Sequence, residues 1–374
     1  MVGQEFIAEH VKPIGSSGIR RVFELGATLT DPIDLSIGQP DFAVPDNIKQ
    51  SMVDAILANR TGYTVTHGIP ELRERIAAQL EKEFAWQPDL FVTCGVSGGL
   101  LLALMACINP GDEVLIGDPY FVSYKHLVRL VRGVPVLVDL YDDFQLHPER
   151  FAAAVTRKTK IILLCSPSNP TGVVHREEDV RAMAELARKH DLLIISDEIY
   201  CALTYDGLSP SPVQFAPERA LLLRGYGKSY AMTGLRMGFA AGPAPIIQQM
   251  AKLQQYTFVC APHPAQYGAL EAMDTDVSQH VAAYGAKRDL ICQELEGAFE
   301  FVRPSGGFYV FPKAPSHFRS ASAFVEEAIR QNVLIIQGDV FSEHDTHFRI
   351  SYAVPDDRIR AGCMILRSLA ESGE

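Results

Sequence analysis

The sequence predicts an α/β fold with a mostly parallel central sheet, helices on both faces and a smaller α+β domain after it. Short continuous apolar runs recur through the middle of the chain, and amphipathic helical patterns lie between several of them. Runs without alternation are typical of strands covered on both faces, and strand–helix alternation indicates parallel pairing. The composition changes near residues 261–264, Ala-Pro-His-Pro, where the smaller domain is predicted to begin.

The elements of the central sheet follow in chain order. The helix predicted over Pro70–Phe84 has proline at its first position and an apolar stripe along one face. A second amphipathic helix is predicted over Arg176–His190. The predicted strands are Phe91–Cys94, Glu113–Ile116, Val134–Asp139, Ile161–Cys165, Leu192–Ser196, Ala220–Leu223 and Phe239–Ala241.

The remaining chain predicts a small domain over 265–374 and a large domain over 41–264. The segment 1–40 is too short to fold alone. Within the small domain, a long helix is predicted over Ala265–Leu295. The other predicted elements are short strands at Phe308–Phe311 and Phe348–Tyr352 and helices at Ser322–Gln331 and Asp356–Leu369.

Composition and charge narrow the class of protein. The chain has 374 residues, 47% of them hydrophobic and 21% charged, which is typical of a soluble globular protein. A net charge of -11 argues against nucleic acid or an anionic membrane as the main partner. The N-terminus does not resemble a signal peptide, and the most apolar segment, Leu100–Ile108, is too short to span a membrane. Seven cysteines without a C-x-x-C pair predict reduced thiols, no metal site and a cytoplasmic protein.

Residues suited to ligand binding follow the predicted strands. The glycine-rich turn Gly95–Gly99, Phe121, Asn169, Asp197 and Lys228 each come at or just after the end of a strand. In open α/β sheets, ligands bind beyond the carboxyl ends of the strands. The strand assignments therefore predict one site that contains these residues.

The run Gly225–Gly238 carries the strongest chemical signal. Lys228 lies among small residues directly after an apolar strand, and Arg236 follows eight positions later. A desolvated lysine favours its neutral amine, which forms a Schiff base with an aldehyde, and an arginine fork binds phosphate. The pair indicates pyridoxal 5′-phosphate (PLP). The alternative is a surface lysine and arginine on a glycine-rich loop.

The run also resembles the PLP-lysine signature of the class I/II aminotransferases, which have fold type I. Seven further segments resemble family motifs and occur in the family's order over nearly the whole chain. They are Gly38–Phe42, Tyr63 with Gly68–Arg73, Gly95–Gly99, Pro119–Tyr124, Ser168–Gly172, Ser196–Tyr200 and Phe348–Ala353. Chance does not explain eight such segments in order.

The resemblance implies a role for each site residue. Lys228 would hold PLP as an internal aldimine, and Asp197 would lie beside the pyridine nitrogen, where the alternative is a capping or turn aspartate. The other implied cofactor contacts are Asn169 and Tyr200 to the ring 3-oxygen, Phe121 on the ring face, and Val96, Ser97, Arg236 and the neighbouring subunit's Tyr63 at the phosphate. Phe121 and Tyr200 would otherwise be core aromatics.

The resemblance also implies a second group of residues, which would recognise the substrate. Arg349, with Gly38 and Asn169, would bind the substrate's α-carboxylate, and the alternative is an exposed strand arginine. Ile19, Tyr124 and Phe258 are expected to line the side-chain pocket. Gly225 departs from many relatives, which have a phosphate-binding serine there.

The resemblance implies an aminotransferase that moves an amino group from an amino acid to a 2-oxo acid by a ping-pong mechanism. It also implies a homodimer with shared active sites and a segment 1–40 packed on the small domain. The alternative within the fold is a PLP-dependent carbon–sulfur β-lyase, which would use the same cofactor residues. A PLP-binding regulator with a DNA-binding domain is disfavoured, because the fold fills the chain and its charge is acidic. Neutral or aromatic donors, with 2-oxoglutarate or pyruvate as acceptor, are favoured.

Overall fold

A computed structural model describes residues 3–12, 14–15 and 18–372. Its α-helices are α1 (Gly18–Gly26), α2 (Asp46–Leu57), α3 (Pro70–Phe84), α4 (Gly95–Cys107), α5 (Ser123–Leu130), α6 (Pro148–Ala154), α7 (Glu177–Lys189), α8 (Ala244–Thr257), α9 (His263–Ala272), α10 (Ser278–Leu295), α11 (Ala321–Arg330) and α12 (Asp356–Glu371). Its strands are β1 (Ile33–Asp34), β2 (Asp89–Cys94), β3 (Glu113–Asp118), β4 (Val134–Asp139), β5 (Thr159–Cys165), β6 (Leu193–Asp197), β7 (Ala220–Gly225), β8 (Met237–Gly242), β9 (Tyr309–Val310), β10 (Val333–Leu334), β11 (Ile336–Gln337) and β12 (Phe348–Ser351).

Seven strands form the central sheet, in the order β2-β8-β7-β6-β5-β3-β4. All neighbours are parallel except for β8, which is antiparallel to both β2 and β7. Helices cover both faces, because Leu223 packs into the core beside α4 and α8 while Leu222 packs into the core beside α3 and α9. The predicted α/β class with a mostly parallel sheet is therefore confirmed.

The predicted strands of this sheet are all present, with small errors at their ends. The strand β6 runs from Leu193 to Asp197, so Leu192 lies outside it. The strand β7 continues past Leu223 to Gly225 and therefore includes the charged Arg224. A charge inside a buried strand needs partners that are distant in sequence, and the local apolar pattern does not reveal them.

Helix α3 occupies the predicted residues, with Pro70 in its first turn and Leu72, Ile76 and Leu80 buried. Two other predictions were wrong. Residues Gly95–Gly99, predicted as a glycine-rich turn, already form the beginning of helix α4. The single helix predicted over residues 265–295 is two helices, α9 and α10.

The break between α9 and α10 has a local cause. The Asp276 carboxylate accepts hydrogen bonds from the backbone N–H and the hydroxyl of Ser278, at 2.9 Å each. Aspartate that bonds the backbone two residues later favours a turn and the start of a helix over a continuing helix. The apolar periodicity resumes in α10 and hid this interruption.

Residues 33–35 pack against the C-terminal part of the chain. Strand β1 pairs in parallel with β10, and Leu35 is buried in a core that includes Tyr309, Val333 and Ile350. Strands β11, β12 and β9 form a separate antiparallel sheet. The predicted short strands here are shorter than expected, since only Tyr309–Val310 and Phe348–Ser351 are paired.

The loop after β5 meets the C-terminal part of the chain at Gly172. Its carbonyl accepts hydrogen bonds from the N–H groups of Ser305 and Gly306, both at 2.9 Å. Its φ is +70°, and an added Cβ would clash with the Tyr309 carbonyl oxygen and lie 2.7 Å from Pro304 Cβ. Glycine is therefore needed at this junction.

We expect Gly172→Ala to lower the free energy of unfolding by at least about 2 kcal/mol, because left-handed strain and a backbone clash add together. Chemical denaturation measures the loss. The matched control is Gly297→Ala, where φ is +79° but an added Cβ meets nothing within 4 Å. The control should lose only about 1–2 kcal/mol of strain, and an equal loss in both variants would contradict the role of the clash.

Candidate active site

One cavity of about 390 Å³ opens beyond the carboxyl ends of the central strands. It is of the size that proteins use for small ligands and cofactors. Ten of the eleven predicted site residues line it: Gly38, Val96, Ser97, Phe121, Asn169, Asp197, Tyr200, Lys228, Arg236 and Arg349. Tyr63 is the exception and is described below.

Lys228 projects into this cavity from the loop that follows β7. Its Nζ donates a hydrogen bond to the Gly38 carbonyl and lies 5.8 Å and 5.7 Å from the ring centroids of Tyr200 and Phe308. Burial first, and then the charges of Arg349 and Arg236, together lower the pKa of Lys228 from its usual 10.5 to about 8. A sizeable neutral fraction near physiological pH makes this amine a nucleophile and a base.

Asp197 is the last residue of β6 and is buried. Its Oδ2 accepts a hydrogen bond of 2.7 Å from the Tyr124 hydroxyl, and its Oδ1 accepts one of 3.2 Å from the Ile199 N–H. Burial raises the pKa of Asp197 to about 6, while these two hydrogen bonds and the nearby Lys228 oppose the rise. A carboxylate held in this way is suited to a protonated ring nitrogen.

The three residues expected to line the side-chain pocket have different outcomes. Ile19 and Tyr124 line the cavity. The Tyr124 hydroxyl, however, is occupied by Asp197, so this residue supports the aspartate. Phe258 is not part of the lining, and its ring lies beside Gly98, 3.7 Å from an added Cβ.

A cradle for an anion lies at the start of α4. Gly95 has φ of +72°, and an added Cβ would lie 2.9 Å from Arg236 Nη2. An added Cβ on Gly238 would lie 3.0 Å from the Val96 nitrogen. The two glycines leave the first turn of the helix open beside a guanidinium. Helix N-termini and arginine forks both favour phosphate, so these residues fit the phosphate of PLP.

Gly225 lacks the serine of many relatives for a steric reason. An added Cβ would lie 2.9 Å from both Ile199 Cδ1 and Val96 Cγ2, and 3.1 Å from the Met237 carbonyl oxygen. Neighbouring side chains therefore fill the space that a serine would need.

Arg349 lies on β12 and is buried, with 1% of its surface exposed, so the alternative of an exposed strand arginine was wrong. Its Nη1 donates to Asn169 Oδ1 at 3.0 Å, and its Nη2 donates to the Ser36 carbonyl at 2.7 Å. Its Nε is buried and has no hydrogen-bond partner among the described residues. No carboxylate of the described residues forms an ion pair with it. A buried cation in this state favours an anionic ligand.

Tyr309 is a cavity residue that was not predicted from the sequence. Its ring centroid lies 4.5 Å from the Arg349 guanidinium carbon, its hydroxyl lies 3.1 Å from the Tyr200 hydroxyl, and it lines the cavity. An added Cβ on Gly38 would clash with that hydroxyl. The only signal was an aromatic residue in a short apolar strand, and this pattern also describes a core residue.

Tyr63 lies outside the cavity of its own chain, and 84% of its surface is exposed. Its segment is held against the N-terminal end of α9, because His263 Nδ1 lies 2.9 Å from the Gly62 carbonyl oxygen. Exposed apolar side chains occur in the same segment and in the stretch around the end of α8: Val65, Tyr256, Phe258 and Val259. Helices that could cross a membrane are absent from the described residues.

Comparison with known proteins gives concordant matches. The family model described as aminotransferase class I and II matches residues 30–366. The Bacillus subtilis protein YugH is 39% identical over 369 residues, which cover 95% of this chain and 96% of that protein. The aspartate/prephenate aminotransferase of Thermus thermophilus is 35% identical over 367 residues, 94% of each protein.

A solved structure of the aspartate aminotransferase from Thermus thermophilus with maleate superposes with a TM-score of 0.94. It is 33% identical, and the match covers 97% of this chain and 99% of that chain. These matches confirm the resemblance predicted from the motifs.

The position of Lys228 between two cations generates a titration prediction. In the cofactor-free protein we expect its amine to titrate near pH 8. Arg236→Gln removes a positive charge that disfavours the protonated amine, so the midpoint should move upward. The pH dependence of the reductive methylation rate, quantified on the Lys228 peptide by mass spectrometry, measures it.

The control for this titration is Arg181→Gln, which removes an exposed arginine paired with Glu177 on α7. It should leave the midpoint unchanged. A parent protein that titrates near 10.5, or a midpoint that falls in Arg236→Gln, would show that burial and charge do not act on the amine as described.

Proposed function

This chain belongs to the class I and II aminotransferases and is a PLP-dependent aminotransferase of fold type I, and we propose that its cavity transfers amino groups between amino acids and 2-oxo acids. The observation that carries the proposal is the meeting of three groups in one cavity. These groups are the readily deprotonated amine of Lys228, the buried carboxylate of Asp197 and the buried guanidinium of Arg349.

Bound PLP supplies an aldehyde that takes up the amino group and a ring that accepts electrons from the substrate Cα. Arg236 Nη2, the open first turn of α4 and the Ser97 hydroxyl would bind its phosphate. Asp197 would keep a proton on the ring nitrogen. Among the other lining residues, Phe121 would lie on the ring face, and Asn169 and Tyr200 would bind the ring 3-oxygen.

The substrate would be held by a second group of residues around Arg349. Arg349 binds the α-carboxylate through two parallel hydrogen bonds, and Asn169 and the Gly38 backbone complete this contact. With PLP bound, the Lys228 amine would accept the proton from the substrate Cα, and its protonated form would donate it to the former aldehyde carbon of the cofactor. Its nearly neutral pKa suits both directions of transfer.

Apolar side chains also line the cavity, among them Ile19 and Ile37. The cations of the described lining are Lys228, Arg236 and Arg349, and each already has a proposed partner. This composition supports neutral or aromatic amino donors and pyruvate as acceptor, whereas 2-oxoglutarate, the other acceptor favoured from the sequence, has no cation in the described lining for its second carboxylate.

An assay without and with acceptor tests the function. With an amino acid and a 2-oxo acid, we expect the parent protein to form the new amino acid, and Lys228→Ala to lose at least about 10³-fold of that rate, because both the base and the cofactor attachment disappear. Chromatography of the amino acid products measures the rate. Release of pyruvate and ammonia from a cysteine-like donor without an acceptor would indicate a carbon–sulfur β-lyase instead.

We further propose a cytoplasmic homodimer in which Tyr63 reaches the phosphate of the partner's site. Tyr63 is exposed and lies outside its own cavity, and the exposed apolar side chains Val65, Tyr256, Phe258 and Val259 give a surface suited to a second copy. Seven free cysteines support a reducing compartment.

We infer a division into a large domain over 41–264 and a small domain over 265–374, with 1–40 packed on the small domain. The pairing of β1 with β10 and the burial of Leu35 beside Ile350 support this arrangement.

Subunit mixing tests the shared site. Tyr63→Phe chains are mixed with Lys228→Ala chains under conditions that exchange subunits. If Tyr63 acts on the partner's site, each hybrid has one site with both changes and one with neither. Turnover per competent lysine should then exceed that of the Tyr63→Phe dimer.

The same mixture can contradict the model. If Tyr63 acts within its own chain, the hybrid has no intact site and turnover should not recover. A monomer on sizing at micromolar concentration would exclude the shared site before mixing.

A further inference from the structure

A cluster of charges that includes a buried ion pair lies behind the cavity and does not line it. It consists of Arg224 and Glu198, whose side chains are only 8% and 2% exposed, and of Glu83, whose side chain is 39% exposed. Arg224 lies on β7, four residues before Lys228, and Glu198 directly follows Asp197. Two of its members therefore adjoin the two central residues of the proposed chemistry.

The Arg224 guanidinium joins three parts of the chain. Its Nε donates to Glu198 Oε2 at 3.0 Å, and its Nη2 lies 2.9 Å from the same oxygen. Its Nη1 and Nη2 donate to the two carboxylate oxygens of Glu83, at 2.7 Å and 2.8 Å. Because Glu83 belongs to the last turn of α3, the fork links β7, the loop after β6 and that helix.

The second oxygen of Glu198 is also occupied. The Ser196 hydroxyl donates to Glu198 Oε1 at 2.9 Å, and the Glu198 backbone N–H donates to the Leu223 carbonyl at 2.9 Å. The Phe84 ring lies 5.2 Å from the guanidinium carbon. Glu198 is thus fixed through both its side chain and its backbone. This limits the movement of Asp197, which is the adjacent residue.

Stability alone is a weak reason for such a cluster. Buried ion pairs often contribute less than apolar side chains of the same volume, because each charge loses its hydration. What a planar guanidinium supplies is direction, since its donors leave in fixed orientations and match carboxylates pairwise. The arrangement therefore suits a task in which distance between two loops matters.

We propose that Arg224 is a positioning residue, whose fork on Glu198 and Glu83 holds the Asp197 loop at a fixed distance from the Lys228 loop. The inference rests on the roles proposed for Asp197 and Lys228. Arg224 itself contacts neither the cavity nor, by this proposal, the cofactor.

The first test compares Arg224→Met with a matched control, Arg188→Met. Arg188 also forms a two-bond pair, with Glu218 at 2.6 Å and 3.3 Å, but on the exposed surface of α7. Three quantities are measured: the PLP dissociation constant, the absorbance of bound PLP against pH, and the single-turnover rate with a saturating amino donor.

For Arg224→Met we expect a rate about 10- to 100-fold lower, the loss typical of a small displacement of reacting groups. PLP binding should weaken and the pH midpoint of the absorbance should shift. Arg188→Met should match the parent in all three. An unchanged rate and absorbance per bound PLP in Arg224→Met, with only a lower melting temperature, would overturn the proposal.

Two further variants separate position from charge balance. Arg224→Lys keeps the charge without the fork and should still lose rate. The double variant Arg224→Met with Glu198→Gln removes the unpaired buried charge, so it should regain stability but not rate. A parental rate in either variant would overturn the proposal, and both remain informative if Arg224→Met does not fold. If the parent protein failed to transfer amino groups, the proposed function would be wrong. The PLP affinity and the absorbance would still test the positioning role of Arg224.

Discussion

The parallel pairing of β6 with β7 is the constraint on which the site depends. Asp197 ends β6 and pairs in register with Leu223, two residues before β7 ends, so the carboxylate and the chain that leads to Lys228 leave the same edge of the sheet. A slip of one residue would turn each side chain to the other face. Leu222 and Leu223 pack into cores on opposite faces, and their burial fixes this register. The packing of the apolar core therefore sets the strand register on which the geometry of the site depends.

The electrostatics of the cavity follow from an imbalance of charge. Lys228, Arg236 and Arg349 line it, and Asp197 is the only carboxylate among the described lining residues. The two arginines help to keep the lysine deprotonated. An anion bound at each arginine would cancel part of this effect and raise the pKa of the amine. Occupation of the cavity by a phosphate and a carboxylate would thus make Lys228 a stronger base when a substrate is present.

Much of this arrangement could be predicted from the sequence, because strands buried on both faces leave continuous apolar runs and polar residues follow their ends. Ten predicted site residues meet in one cavity for that reason. The contacts that hold these site residues in place could not be predicted. Tyr124 reaches Asp197 and Tyr309 reaches Arg349 through contacts between distant parts of the chain.

The ends of some elements were also predicted wrongly. β7 seemed to stop at Leu223 because a charge follows, yet Arg224 stays in the strand with partners 26 and 141 residues away. The helices α9 and α10 were merged because a turn stabilised by Asp276 does not disturb the apolar pattern on either side.

Gly225 shows how a missing hydrogen bond is offset within the same site. The space for a serine is filled by Ile199 and Val96, so the proposed phosphate contact loses one neutral hydroxyl. Such a bond contributes about 1 kcal/mol, whereas a bond from a charged donor contributes about 1.5–3 kcal/mol. Arg236 supplies charged donors and is held by its bond to the Thr233 carbonyl at 2.9 Å. The proposed phosphate site would therefore depend chiefly on one guanidinium and the first turn of α4.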